Sequence, residues 1–443
     1  MSRHEPPASR PVLGPARGWL HALGVVVAGF AVMLVVAALG LWLAGASELP
    51  QGALVPVIAA TVVMAVGGRV ALDGGAGFIA ETQAAIVVVP LSVALAGALV
   101  TAYAFLRPLR SHAVLSGGHL LRIVLRTALL WVVALLLIVH GARHSFSLSA
   151  GNEYLDEIAQ LLGTTPTVGF HALVGTTVGL GLLWLLVVLL IALAVSRRVP
   201  LPPRLAPPQA TVRPAARAMV AVLLVYVVAA AIIALVTADT RTDAGDTLAV
   251  VFLGLPNLAW LAFGLGLGAS WHGHVKGAIG LPMPEPLARV LRTGGDGDVT
   301  LDLASLTRQD GRAWWLLVAA AVAMLLAGWA AARRAPPGAG HLRNAVRLAL
   351  TAAAAMLLIG LLTWIDAHYG LSLFGIGDPS DTGGLGGSVV LVPDLAAAVG
   401  LAAGWGAVTG FLGSLVARPR RRRTGPDGTD AVSVSRPPDP RSP

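Results

Sequence analysis

The sequence contains no cysteine, few charged residues and none of the common catalytic motifs. The absence of cysteine excludes disulfide bonds, iron–sulfur clusters, thiolate zinc sites and cysteine nucleophiles. Charged residues make up only 12% of the chain, against roughly 25% in soluble domains. A Walker A phosphate loop, an HExxH zinc motif and a Gly-x-Ser-x-Gly nucleophile elbow are also missing. These absences exclude an ATPase of that type and argue strongly against a soluble protein.

Long apolar runs occupy most of the remaining sequence. The chain is 56% hydrophobic, and its mean hydropathy is +0.78. Each long run approaches the roughly 20 residues that a helix needs to cross the hydrocarbon core. Helices satisfy their own backbone hydrogen bonds in lipid, so we predict an all-α, polytopic membrane bundle. The runs without charge are 18–45, 85–106, 172–195, 218–237, 247–269, 314–332 and 395–417, with shorter runs at 52–68, 127–142 and 348–365.

The two halves of the chain resemble each other. The segment 178–184 matches 399–405 at an offset of 221 residues, and 117–122 matches 339–343 in the same order. Matches in a conserved order predict two parallel internal repeats of five hydrophobic segments each. The predicted units are a cytoplasmic leader (1–17), a first repeat (18–196), a Pro/Arg-rich linker (197–216), a second repeat (217–417) with a loop insertion (270–312), and a basic, then disordered tail (418–443).

The distribution of charge predicts the topology. Basic clusters alternate with acidic loops, and Lys and Arg accumulate on the cytoplasmic side of membranes. Corresponding loops of the two halves carry the same sign, so each half needs an even number of crossings. We therefore predict eight crossings plus two proline-broken or re-entrant segments, 52–68 and 247–268, with ten plain crossings as the alternative. Both termini are expected in the cytoplasm of a cell whose plasma membrane holds the protein.

The two proline segments are the first candidate site. Pro56 and Pro256 each precede an apolar stretch that ends in glycine, at Gly68 and Gly268, and Asn257 follows the second proline. Paired broken helices at matching places in two repeats are typical of a transporter site. We therefore name Pro56, Pro256 and Asn257 as candidate cavity or gating residues. The alternative is two kinked helices inside a packed bundle.

Four titratable residues are further candidates for a cavity or gate. Asp394 starts the last span and could bind a cation or relay a proton, and His171 lies near the equivalent place in the first half. The alternative places both in the solvated outer interface. Asp73 and Asp302 recur before apolar runs and could guard an outer vestibule or cap helices. His272 and His274 offer two metal ligands without a third, so no metal or cofactor site is predicted.

Basic side chains and small residues give two packing predictions. Arg122/Arg126 and Arg343/Arg347 are spaced i, i+4, so each pair lies on one helical face and is expected to reach the lipid headgroups. Arg420, Arg421 and Arg422 of the tail should lie against anionic lipids. Glycines spaced four apart, at 400/404 and 406/410, predict close helix packing.

Four short motifs carry a resemblance to a known family. They are Ala-Leu-Asp-Gly-Gly at 71–75, Gly-Leu-Pro-Asn at 254–257, Gly-Leu-Pro-Met-Pro at 280–284 and Thr-Leu-Asp-Leu-Ala-Ser at 300–305. The chain resembles the streptophobe family, very hydrophobic multi-span membrane proteins of actinobacteria. The resemblance covers most of 18–417 and implies a plasma-membrane protein. It implies no activity and no functional residues.

Three functional hypotheses follow from these patterns. The paired proline segments favour a transporter or permease-like protein with a site between the repeats. The scarcity of buried charge favours a non-transporting membrane scaffold or assembly partner instead. An intramembrane enzyme is the third hypothesis, without a motif to support it. The expected partners are bilayer lipids and not nucleic acid, because the basic residues lie in short loops at membrane edges.

Overall fold

A computed structural model describes most of the chain, with gaps at both termini and in ten connecting segments. The described residues are 15–49, 52–75, 80–109, 117–147, 167–196, 206–238, 244–276, 285–292, 298–335, 340–373 and 387–417. The basic tail with Arg420, Arg421 and Arg422, and nearly all of the leader, lie outside the described residues.

Helices dominate the described structure. Short 3-10 turns at 46–48 and 311–314 connect some of them. The helices are α1 (Pro15–Leu43), α2 (Leu54–Ala65), α3 (Leu91–Leu109), α4 (Gly117–Gly141), α5 (Val174–Val195), α6 (Ala206–Ala238), α7 (Ala244–Leu253), α8 (Leu255–Gly266), α9 (Glu285–Arg292), α10 (Leu303–Gln309), α11 (Trp315–Arg333), α12 (His341–Leu362) and α13 (Leu395–Val416).

Eight of the described helices, α1, α3–α6 and α11–α13, are long and apolar enough to cross a bilayer. Their outward faces carry large aliphatic side chains: Leu137 is 71% exposed and Leu190 is 67% exposed. A soluble protein rarely leaves apolar patches of that extent in water. The prediction of a polytopic helical membrane protein is therefore confirmed at this level.

The all-α prediction is incomplete, because the structure also contains an eight-stranded antiparallel sheet. The strands are short and lie between helices, where apolar residues hide the alternation that identifies a strand. The strands are β1 (Val70–Gly75), β2 (Ala80–Val87), β3 (Arg143–Ser147), β4 (Thr167–Ala172), β5 (Trp271–Lys276), β6 (Val299–Leu301), β7 (Ile365–Leu373) and β8 (Gly387–Pro393).

The sheet lies across one end of the helical bundle. Its strands are joined by very short connections to the start of α3, the end of α4, the start of α5, the end of α12 and the start of α13. These five helix ends must therefore meet at one level. Arg126 lies near the start of α4, and its guanidinium is 5.4 Å from the centre of the Trp19 ring of α1. The amino end of α1 therefore lies at the other end of the bundle.

The strand order runs β3-β4-β1-β2-β7-β8-β5-β6. Strands of the first half fill one side of the sheet and strands of the second half fill the other. The boundary between them is the β2–β7 pair, which runs antiparallel from Ala80↔Leu373 to Val87↔Asp366. One continuous sheet thus joins the two halves of the chain, a connection that the sequence did not predict.

The segment 247–268 is a broken helix, as predicted. The part of α7 from Thr247 and the whole of α8 meet at an angle of 80° around Gly254. A Cβ on Gly245 would lie near the Leu43 carbonyl, and one on Gly40 would meet Leu253. The whole of α7 therefore runs beside the last turns of α1, close to the sheet end of the bundle.

The segment 52–68 contains the short helix α2. This helix has 12 residues, so it is about 18 Å long. That length is less than the roughly 30 Å of the hydrocarbon core. Pro56 lies in its first turn, where a missing N–H costs nothing, and does not break the helix.

Two predicted segment boundaries need correction. The linker 197–216 is helical from 206 onward, because α6 begins at Ala206 and includes Pro214. The predicted loop insertion 270–312 contains β5, α9, β6 and α10. Its amphipathic pieces are too short to stand out in a sequence dominated by membrane segments.

Candidate functional site

The junction between the two halves is the first candidate region. Asn257, in the first turn of α8, accepts a hydrogen bond from the Leu91 backbone N–H at 3.1 Å and donates one to the Val89 carbonyl at 2.9 Å. The Ser92 hydroxyl donates to the Val251 carbonyl at 2.8 Å. These bonds satisfy backbone groups in the first turn of α3, whose N–H groups have no partner within the helix, and near the break between α7 and α8.

Two of the predicted cavity residues, Pro256 and Asn257, lie at this junction. Both functional groups of the Asn257 amide are used in bonds to the first half, so Asn257 holds the halves together. Pro256 is buried in the first turn of α8, whereas Pro56 is half-buried in α2. The helix pairs α3/α8 and α2/α4 are in contact, but no contact joins α2 to α8 among the strong helix contacts of the described residues. That Pro56 and Pro256 line one cavity between the repeats stays a prediction.

A hydrogen-bonded cluster crosses three strands of the second half. His274 Nδ1 lies 2.7 Å from Asp298 Oδ1, and His274 Nε2 lies 2.9 Å from Ser388 Oγ. The neighbouring His272 Nδ1 lies 3.2 Å from Thr300 Oγ1. The order carboxylate, imidazole, hydroxyl is that of a Ser-His-Asp triad. Sequence reasoning missed Ser388 and Asp298, because no spacing connects residues on separate strands.

Burial decides between catalysis and structure for this cluster. Ser388 is 1% exposed and pairs with Lys276 of β5 on one side and His368 of β7 on the other. A nucleophile must be reached by its substrate at about 3 Å. The enclosed hydroxyl does not meet that requirement. We therefore interpret His274 as a bridge that links β8 through Ser388 to the chain before β6 through Asp298.

A structural role for Ser388 predicts a specific pair of results. Ser388→Ala leaves His274 Nε2 without its hydroxyl partner and should lower the free energy of unfolding by about 0.5–1.5 kcal/mol. We expect no labelling of the intact protein by a fluorophosphonate probe. Ser145→Ala, on an exposed strand residue, is the control and should change neither readout. Labelling that disappears in both Ser388→Ala and His274→Ala would instead identify a serine nucleophile.

A shallow, open concavity of about 430 Å³ lies on the β3–β4 pair. The residues that line it are Arg143, His144, Ser145, Gly169, Phe170 and His171. His171 pairs with Ala71 and Arg143 within the sheet. The Leu173 N–H donates to the Arg69 carbonyl, and the Asp394 N–H donates to the Ser270 carbonyl, so Leu173 and Asp394 have the same kind of backbone contact. His171 lies two residues before Leu173.

The three candidate aspartates lie in separate places. Asp394 is the N-cap of α13 and accepts a hydrogen bond from the Ala397 N–H at 3.2 Å. Asp302 caps α10 in a reciprocal capping box with Ser305. Asp73 is inside β1, opposite Gln83 and Gly169. The capping alternative describes Asp302, whereas Asp73 lies within a strand.

The predicted arginine anchors lie in the early turns of α4 and α12, at the bundle end away from the sheet. Arg122 is exposed, and its Nε donates to the Gly118 carbonyl at 3.2 Å. Arg343 is exposed and Arg347 is half-buried. Within the described residues, no group of three or more His, Cys, Asp or Glu side chains could hold a metal ion.

In comparisons with known proteins, no family model, curated protein or solved structure matches the chain. The resemblance to the streptophobe family therefore stays a prediction.

Proposed function

We propose that this integral membrane protein is a scaffold or assembly partner built from two parallel repeats. The β2–β7 pair is the observation that carries the proposal. It joins the half-sheets through eight residue pairs, from Ala80↔Leu373 to Val87↔Asp366. Asn257 and Ser92 add hydrogen bonds between the helices of the two halves. Such a connection stabilises one arrangement of the halves.

The order of the strands supports the two repeats. Within the first half it is β3-β4-β1-β2, and within the second it is β7-β8-β5-β6, so first, second, third and fourth strands occupy equivalent places. Two parallel copies placed side by side give this order. A two-fold axis between the halves would reverse one of them.

The turns that precede β1 and β5 also support the repeats. Gly67 and Gly268 have φ of 89° and 91°, in the left-handed region that favours glycine. The next residue closes each turn with the same bond, Gly68 N–H to Val63 O and Ala269 N–H to Gly264 O. The equivalent of Gly268 in the first half is thus Gly67 and not Gly68. With this alignment of the two repeats, the residue that corresponds to Pro56 is Asn257.

The position of the sheet supports eight crossings with two re-entrant segments. The helix α2 ends at β1 and the helix α8 ends at β5, so both lead into the sheet. The preceding helix α1 also ends on the sheet side, since its amino end lies beside Arg126 at the other end. Basic residues at the end of α3 and α11 and at the start of α4 and α12 lie away from the sheet, namely Arg107, Arg333, Arg122 and Arg343. By the positive-inside rule that end is cytoplasmic, and the sheet is outside.

The transporter hypothesis has less support from this geometry. Alternating access commonly requires one repeat to move against the other around a site between them. The continuous sheet and the Asn257 bonds oppose that movement. The concavity on β3–β4 is lined by residues of the first half alone. Transport between the repeats therefore stays a prediction, and the scaffold is the function that the contacts favour.

Single cysteines and a membrane-impermeant thiol reagent test the proposal, since the chain has no native cysteine. We expect His272→Cys and Thr300→Cys, both at exposed sheet positions, to react in intact cells. We expect Arg122→Cys, at the opposite end, to react only after permeabilisation. Along α8, Asn257→Cys and Ala259→Cys should stay unlabelled from either side.

Two outcomes would contradict the proposal. Labelling along one face of α8 in intact cells would show a water-filled path at the junction, and the transporter hypothesis would replace the scaffold. Labelling of Thr300→Cys only after permeabilisation would place the sheet in the cytoplasm and overturn the topology.

A further inference from the structure

The sheet has two edge strands, β3 and β6. In the proposed repeat they correspond to β7 and β2, the two strands that pair in the middle of the sheet. Within the described residues, β3 and β6 each have a single neighbouring strand. The strand β3 occupies the place in the first half that β7 occupies in the second, and β6 occupies the place of β2. The internal β2–β7 pair is thus a template for pairing β6 with β3. An outer strand presents backbone N–H and C=O groups that can pair with another chain.

We infer that β6 of one copy pairs with β3 of a second copy, so that the chains assemble head to tail through the contact that already joins the repeats. This inference rests on the proposed two-repeat scaffold and names its partner as the protein itself. The contact is heterologous, because it uses different surfaces on the two copies. Such contacts give closed rings when the rotation between copies closes.

The residue pairing at this contact follows from the two half-sheets. Gly169 and Val390 are equivalent, because each lies four residues before the matching positions Leu173 and Asp394. Gly169 pairs with Ser145, and Val390 pairs with Asp366, so Ser145 is equivalent to Asp366 and Ser147 is equivalent to His368. Val70 and Trp271 are equivalent, because each lies three residues after the matching glycines Gly67 and Gly268. Val70 pairs with Ile86, and Trp271 pairs with Leu301, so Leu301 is equivalent to Ile86 and Thr300 is equivalent to Ala85.

At the internal boundary Ala85 is opposite His368. Repeating that boundary between copies therefore places Thr300 of one copy opposite Ser147 of the next. The neighbouring pair is then Leu301 opposite Phe146, because Ile86 is opposite Ala367.

A pair of exposed tryptophans supports the same contact at the level of the helices. At the internal junction the first residue of α3, Leu91, is 1% exposed because the second half covers it. The equivalent helix α11, also of 19 residues, begins with Trp315, which is 58% exposed and stacks on Trp314 at 4.4 Å. A second copy would cover these rings, as the second half covers Leu91.

The concavity on β3–β4 lies beside the strand to which β6 of the second copy would pair. It is open and next to the outer strand β3, with Ser145 in its lining. A neighbouring copy that adds β6 to β3 would bring α10 and the following turn against this region, because they come directly after β6. The strand contact sets the register, while the helices around Trp315 supply apolar contact area.

Disulfide crosslinking tests the predicted register. Ser147→Cys and Thr300→Cys are placed on two differently tagged copies, which are expressed together and oxidised in the membrane. Residues directly opposite in antiparallel strands have Cα atoms about 4.5–5.5 Å apart, within the range for a disulfide. We expect most of the heavier-tagged chain to shift to a mixed dimer on a non-reducing gel. Within one chain the two positions are about 34 Å apart across the sheet, so the bond can form only between copies.

Two control pairs make the result specific. Arg143→Cys with Thr300→Cys is four residues out of register, about 13 Å along the strand, and should give little mixed dimer. Ala85→Cys with His368→Cys in one chain tests the internal boundary. With a protease site inserted in the linker, the oxidised halves should remain joined after cleavage.

The outcomes separate the inference from the function on which it rests. If the internal pair fails to crosslink, the continuous sheet and the scaffold proposal are both wrong. If the internal pair forms but Ser147→Cys and Thr300→Cys give no mixed dimer, the head-to-tail assembly alone is wrong. Equal crosslinking by the Arg143→Cys control would show random collision and also overturn the predicted contact.

Discussion

Gly413→Ala should strongly destabilise the protein, because α11 and α13 cross with their backbones in contact at this glycine. A Cβ on Gly413 would lie 2.6 Å from the Gly328 carbonyl oxygen, and still closer to the carbonyl carbon. These are backbone atoms, so no side chain can rotate away. Forcing a methyl group into packed space costs about 1–3 kcal/mol, occasionally more. We expect a clear fall in the unfolding midpoint. Unfolding in detergent can be measured by the fluorescence of the 11 tryptophans.

Gly404→Ala is the matched control for this prediction, since both glycines lie in α13. A Cβ on Gly404 would meet nothing within 4 Å. Alanine is favoured over glycine in a helix by roughly 0.5–1 kcal/mol, so this variant should be neutral or slightly stabilising. If Gly413→Ala unfolds at the wild-type midpoint, the close crossing of α11 and α13 is wrong.

The second large effect is expected for Asn257→Leu at the junction between the halves. The substitution leaves the Leu91 N–H and the Val89 carbonyl without the amide that bonds to both. An unsatisfied buried polar group costs about 1–3 kcal/mol. Asn257→Asp keeps the acceptor for Leu91 but places a carboxylate oxygen against the Val89 carbonyl, so its midpoint should also fall below that of the wild type.

A second readout connects the loss to the junction. When the two halves are expressed as separate chains, Asn257→Leu should reduce the fraction that purifies together. Thr237→Val is the control, because the exposed Thr237 hydroxyl bonds to the Ile233 carbonyl of its own helix. Co-purification of Asn257→Leu halves at the wild-type level would contradict a joining role for Asn257.

The glycine motifs show how far sequence reasoning reaches. Glycines four apart predicted close packing at two places in the last helix, and the structure supports one of them. Gly406 and Gly410 approach the backbone of α12 at Ala349 and Ala345. Gly400 and Gly404 have open space around them. The spacing is the same in both cases, so the motif alone could not separate a packed face from a lipid-facing one.

The tertiary contacts of the candidate site residues show the same dependence on distant partners. The broken helix around Pro256 was predicted correctly, because proline and glycine in an apolar run disfavour a straight helix. The role of Asn257 was not, because its partners Leu91 and Val89 lie more than 160 residues earlier in the chain. The Ser388–His274–Asp298 cluster was invisible for the same reason. Each member lies on a different strand or its flanking turn, and no local spacing brings the three together.

The sequence by itself determined that this is a helical membrane protein with a break at Gly254–Pro256, since charge content, run length and proline position act locally. The order of its motifs also predicts two repeats. Only the tertiary structure decided that short apolar segments between the helices form one sheet across both halves. Strand pairing depends on partners distant in sequence, and β2 meets β7 almost 290 residues away. The same long-range packing decided that Asn257 bonds to the start of α3, at the junction between the two halves.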